Sequence, residues 1–110
     1  MTEKGKKYLS DILHAIELVE QFTESITDYN HFLSDLKTQS AVERQLGIIG
    51  EAVNRFDQHC PESSIQNAKK IVGFRNRLIH AYDSIDSSII WTIVRRHLTP
   101  LKKEVFNKLI

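Results

Sequence analysis

Within the eight residues Arg75-Asn76-Arg77-Leu78-Ile79-His80-Ala81-Tyr82 the chain carries a guanidinium, an amide, an imidazole and a phenol. A guanidinium's planar fork matches two oxygens of a phosphate. An imidazole titrates near neutrality, so it can take a proton from a 2′-hydroxyl or give one to a leaving oxygen. Arg75 and His80 together therefore suffice for RNA cleavage without a metal, in which the 2′-hydroxyl attacks its own phosphodiester. Asn76 stands one helical turn before His80, on the same edge, where it could orient the ring or hold a phosphate oxygen. Tyr82 follows just beyond, next to Asp83, Ser84, Asp86 and Ser87, which signal a helix break.

The placement of Arg75 adds to this. On a helical wheel Ala68, Ile71, Val72, Phe74, Leu78 and Ile79 form one apolar arc, and Arg75 falls near its middle. An unpaired charge on a buried face is expensive, so Arg75 is either paired with an acid or reserved for an anionic ligand. Two readings stay open. One is a functional site, with Glu51 as a supporting counterion and a two-fold dimer bringing two Arg-His sets together. The other is a structural Arg75–Glu51 pair, with His80 a polar helix end and Tyr82 a partly buried aromatic.

The positioning elements read as helices throughout. Tyr8, Ile12, Ala15, Ile16, Val19, Phe22 and Ile26 recur at spacings of three and four, predicting a first helix from about Lys6 to Ile26. Asp28 can cap a short piece over 30–35, with Phe32 and Leu36 turned inward. A second long helix fits Ser40 to His59, capped near Thr38 or Ser40, on a stripe of Val42, Leu46, Ile49, Val53 and Phe56. Gly47 and Gly50 sit inside it, each costing about 1 kcal/mol relative to Ala, which points to close approach of another backbone. Glu51 lies roughly in line with Arg44 and Arg55, as in a surface salt-bridge ladder. A third helix, capped by Ser63 or Ser64, carries the central stretch to His80. A fourth starts at Asp86 or Ser87, and Pro100 must kink or break it. Leu101, Val105, Phe106 and Leu109 continue its apolar face. Short links between four or five helices mean an antiparallel all-α bundle over 1–110, a single domain.

Composition narrows the classes. At 110 residues, 41% apolar and 26% charged, the chain can bury a modest core that self-association would help. The single Cys60 excludes an internal disulfide framework and suits a reducing compartment. No run approaches the roughly 20 apolar residues of a membrane span, and the charged first residues lack a signal peptide's apolar run. A cytoplasmic protein without membrane contact is expected. Residues 1–61 hold six Lys/Arg against ten Asp/Glu, and residues 62–110 hold nine against four. The basic half contains Arg75 and His80, which favours phosphates, although solvated helix faces account for the charges equally well. His14, His31 and His97 read as surface residues, and His59 beside Cys60 has no second ligand pair, so neither a metal nor another cofactor is expected.

Arg75-Asn76-Arg77-Leu78-Ile79-His80-Ala81-Tyr82 resembles the R-x₄-H-x-Y signature of HepT-like proteins in the HEPN superfamily. Ala41-Val42-Glu43-Arg44-Gln45-Leu46, Ile49-Gly50-Glu51-Ala52, and Ile85-Asp86 followed by Ile90-Trp91 are similar as well. The resemblance runs from about residue 8 to 105. It departs at Ser64-Ile65-Gln66, where relatives often carry a Pro-Trp pair. It implies a HEPN-like helical-bundle homodimer with the motif at its two-fold cleft. It also implies a ribonuclease toxin of a type II toxin–antitoxin pair, whose partner is a minimal nucleotidyltransferase (MntA-like) antitoxin. On this resemblance Arg75 binds the scissile phosphate, His80 transfers the proton, and Tyr82 is the hydroxyl that the antitoxin modifies with AMP. A bulky anionic group there would occupy the phosphate site. Two rivals remain, a non-catalytic adaptor binding a nucleotidyltransferase or nucleotide, and a plain dimeric scaffold.

Overall fold

Six α-helices and no strand occur among the described residues. The structure is a computed structural model, and it describes residues 1–80 and 86–110, His80 by its backbone alone. In chain order the helices are α1 (Glu3–Phe22), α2 (Tyr29–Ser34), α3 (Leu36–His59), α4 (Ala68–His80), α5 (Ser87–Thr92) and α6 (Leu98–Leu109). A 3₁₀ turn at Pro61–Ser63 follows α3, and a π-helical turn at Ile93–His97 joins α5 to α6. The all-α bundle expected from periodicity is what forms.

The long pair α1 and α3 supplies the core. Leu9, Ile12, Ala15, Ile16 and Val19 of α1 meet Val42, Leu46, Ile49, Val53 and Phe56 of α3, all nearly solvent-free. Burying side chains of this size is worth about 1.5–3 kcal/mol each, the main drive for the bundle. The pair is antiparallel: Thr2, which caps α1 by accepting the Gly5 N–H, also meets His59 at the far end of α3. α6 packs along α1, tied by Lys102 Nζ to Glu20 at 2.9 Å.

Several boundaries differ from the sequence expectation, each for a local reason. α1 ends at Phe22, because the Thr23 hydroxyl donates to the Val19 carbonyl and its N–H closes the last turn. Ile26 is buried although it lies beyond the helix end. α3 begins at Leu36, since Asp35 accepts from the Thr38 N–H and caps it earlier than Thr38 or Ser40 would. Leu36 consequently faces outward, 73% exposed, while Phe32 is buried as expected. Phe106 likewise points to solvent rather than joining the apolar face of α6.

The link into α4 is fixed by carboxylates. Asp57 accepts from Ser64 Oγ and from the Ile65 N–H, and Glu104 accepts from the Gln66 N–H. Asn67 adopts a left-handed conformation at φ 65°, so α4 starts only at Ala68. Ser64 spends its hydroxyl on Asp57 and caps nothing. Asp86 caps α5 by accepting the Ser88 N–H, as expected. Pro100 does not break the last helix. It lacks an N–H and its ring crowds the carbonyl four residues back, and the widened π turn just before it absorbs that conflict. Buried Gln39 ties the corner together, donating to the Phe32 and Leu33 carbonyls and accepting from Ser87 Oγ.

Candidate active site

α4 packs antiparallel on α3, and the closest approach is at Gly50. A Cβ there would collide with Arg75 Cβ and lie 2.7 Å from its Cγ. The missing side chain is what lets Arg75 start from the packed face of α4. Gly47, one turn away, has nothing within 4 Å of such a Cβ, so the close approach expected of both glycines occurs at one.

From this seat the guanidinium is held at two nitrogens. One terminal nitrogen lies 2.5 Å from Glu51 Oε2, and the other donates to Asn76 Oδ1 at 2.9 Å. Arg75 Nε is buried and has no hydrogen-bond partner among the described residues. Glu51 is shared, because its Oε1 accepts from Arg55 Nε at 2.8 Å. Of the ladder expected along α3, Glu51 meets Arg55 and no contact with Arg44 is found among the described residues, while its other oxygen meets Arg75. Asn76 presents its carbonyl oxygen to Arg75, a contact that spacing alone did not suggest.

His80 is the last residue of α4, and its backbone follows Asn76 by one turn. Its side chain and all of Tyr82 lie outside the described residues, so the structure brings Arg75, Asn76 and Glu51 together and leaves those two aside. The remaining apolar arc of α4 is only partly covered: Ile71, Val72, Phe74 and Leu78 are half-buried, and Ile79 is 48% exposed. An apolar groove of about 370 Å³ separates α4 from the α5–α6 rod, lined by Leu46, Ile49, Ile71, Phe74 and Leu98 among others. It includes none of Arg75, Asn76 or Glu51, so this groove is not where the charged chemistry sits.

Comparison with known proteins identifies the family. The family model described as ribonuclease HepT-like matches residues 12–106. The chain belongs to that family.

Among the relatives of this HepT-like chain, the "Probable ribonuclease HepT" of Thermococcus cleftensis is 42% identical over 113 residues, spanning 99% of this chain and 98% of its own. The "Putative RNase MJ1380" of Methanocaldococcus jannaschii is 41% identical over 102 residues, spanning 91% and 92%. No solved structure matches the chain at a significant level. The family inferred from the central stretch is therefore the family found.

In the HepT-like chain the environment of Glu51 extends further than the motif. Arg55 is held above its ordinary pKa first by its hydrogen bond to Glu51 and then by Tyr8 of α1. Tyr8 also meets the His59 ring edge-on, at 6.2 Å between centroids. Sequence reasoning placed Tyr8 in a core stripe and Arg55 on a surface ladder. The i,i+4 spacing of Glu51 and Arg55 was the one available signal. His14, His31 and His97 are exposed, as their positions on the wheels implied. No group of three or more His, Cys, Asp or Glu among the described residues could hold a metal ion, and none of the described helices is long and apolar enough to cross a membrane.

Proposed function

We propose that this protein is a metal-independent endoribonuclease and the toxin of a type II toxin–antitoxin pair. The observation that carries the reading is Arg75, a guanidinium seated on the packed face of α4 over Gly50, in a member of a ribonuclease family. Its guanidinium is the planar fork that suits a phosphodiester, once the anion takes the place of Glu51.

In the proposed reaction the 2′-hydroxyl attacks the adjacent phosphorus while the bond to the 5′-oxygen breaks. His80 takes the proton from the nucleophile or returns one to the leaving oxygen. Arg75 stabilises charge on the non-bridging oxygens, and Asn76 orients it. The products are a 2′,3′-cyclic phosphate and a 5′-hydroxyl. Glu51 balances Arg75 until phosphate displaces it.

A homodimer belongs to this reading. One Arg-His set makes a thin site, and the half-exposed apolar arc of α4 next to Arg75 is a surface that a second copy would cover. The antitoxin is a minimal nucleotidyltransferase that transfers AMP to Tyr82, two residues beyond His80. An added phosphate there competes for the same guanidinium. The cytoplasm is the proposed location. An Arg75–Glu51 ion pair also suits a silent adaptor, which binds a nucleotidyltransferase without cleaving RNA.

The deciding experiment measures intact mass and RNA cleavage on one sample, with and without the nucleotidyltransferase. A mass gain of whole AMP units on Tyr82, accompanied by lost cleavage, is the expected result. A folded, unmodified protein that cleaves none of a broad RNA panel would leave the adaptor reading in its place.

A further inference from the structure

We propose that Arg55 is a positioning residue for Arg75 acting through Glu51, holding one carboxylate oxygen so that the guanidinium stays free to pass to an RNA phosphate. The inference rests on the ribonuclease reading of the site and adds to it how Arg75 is kept available.

A carboxylate facing an arginine alone takes it by two parallel bonds, a strong and specific fork. Glu51 does not do so. It gives Oε2 to a terminal nitrogen of Arg75 and Oε1 to Arg55 Nε. The edge of Arg75 formed by Nε and its neighbouring nitrogen is thus half filled, and Nε has no partner among the described residues. A bidentate Glu51 would fill that edge.

Arg55 is well placed to prevent this. It follows Glu51 by four residues on α3, the orientation in which an acid and a base attract across one turn. Its Nε donates to Glu51 Oε1 at 2.8 Å, so that oxygen is already engaged. The Glu51 and Arg75 side chains keep 36% and 25% of their exposure, so water screens the contact and weakens it relative to a buried pair. A phosphate can displace one such bond. When it does, Glu51 remains neutralised by Arg55 instead of repelling the incoming anion.

The test compares wild type, Arg55→Ala, Arg55→Lys, Arg55→Ala/Glu51→Gln and Arg75→Ala. Binding of a fluorescent oligonucleotide with 2′-deoxy substitution at every position, which cannot be cleaved, is read alongside kcat and KM on RNA. Arg55→Ala is expected to weaken binding and raise KM by about tenfold with kcat within about twofold, the mark of a change in binding alone. Arg55→Lys keeps a cation on Oε1 and stays near wild type. Glu51→Gln in the Arg55→Ala background recovers binding, because a neutral amide no longer competes for Arg75. Failure of that recovery would overturn the proposal, since Arg55 would then be touching phosphate itself. Wild-type behaviour of Arg55→Ala would overturn it too. The underlying site reading fails separately, by an Arg75→Ala variant that binds and cleaves as wild type does.

Discussion

Gly50 and Arg75 occupy one contact between α3 and α4, and the absent side chain of the first is the space that the stem of the second fills. A glycine in a helix interior costs about 1 kcal/mol relative to Ala, so at Gly50 helix stability is exchanged for an arginine at a helix–helix seam.

Two alanine substitutions separate that role from simple propensity. Gly50→Ala forces α3 and α4 apart and is expected to destabilise the fold by about 1–3 kcal/mol, the usual range for overpacking. It also displaces Arg75 and reduces RNA cleavage. Gly47→Ala meets nothing and is expected to stabilise by up to about 1 kcal/mol with cleavage unchanged. Urea unfolding of both variants measures the pair, and equal effects would contradict the seat assigned to Arg75.

Acid should loosen the two aspartate caps at the starts of α3 and α5. Asp35 is held below its usual 3.8 by hydrogen bonds from Thr38, and Asp86 is lowered likewise by Ser88. A carboxyl with a lowered folded pKa contributes stability above its unfolded value and loses it as pH falls through the folded one. Asp35→Asn keeps an accepting oxygen without a titrating charge, so it should flatten the fall in Tm below about pH 4. Asp35→Ala should lower Tm at every pH, because the Thr38 N–H loses its cap. A Tm series across pH for the three proteins checks this.

Cleavage should survive EDTA and leave 2′,3′-cyclic phosphate ends. In the proposed scheme Arg75 would supply the charge stabilisation and His80 the proton transfer, so it contains no step for a metal. Product analysis by mass spectrometry tests it. A strict metal requirement with 3′-hydroxyl or linear phosphate products would contradict 2′-hydroxyl attack.

The helical class and the place of Arg75 on the apolar arc of α4 were both legible in the chain; its seat over Gly50 was not. Apolar spacing on α1 and α3 located the core, and the lone cation within the arc of α4 marked the residue that meets Gly50. Boundaries were harder, because caps are decided by hydrogen bonds that compete locally. Asp35 outbids Thr38 and Ser40 as the start of α3, and Thr23 closes α1 while Ile26 still keeps the period. Ser64 looked like a helix cap and instead donates to Asp57. The link from Arg55 through Glu51 to Arg75 joins α3 to α4, and no single-helix pattern contains it.

The central claim is that Arg75 and His80 carry out the chemistry, and substituting them tests it most directly. RNA cleavage by Arg75→Ala and His80→Ala is compared with wild type, with circular dichroism and thermal melts establishing that each variant is folded. The expected result is a loss of about 10²-fold or more for each, as removal of a proton-transfer group or a charge stabiliser entails. A folded His80→Ala that cleaves RNA at the wild-type rate would contradict the mechanism.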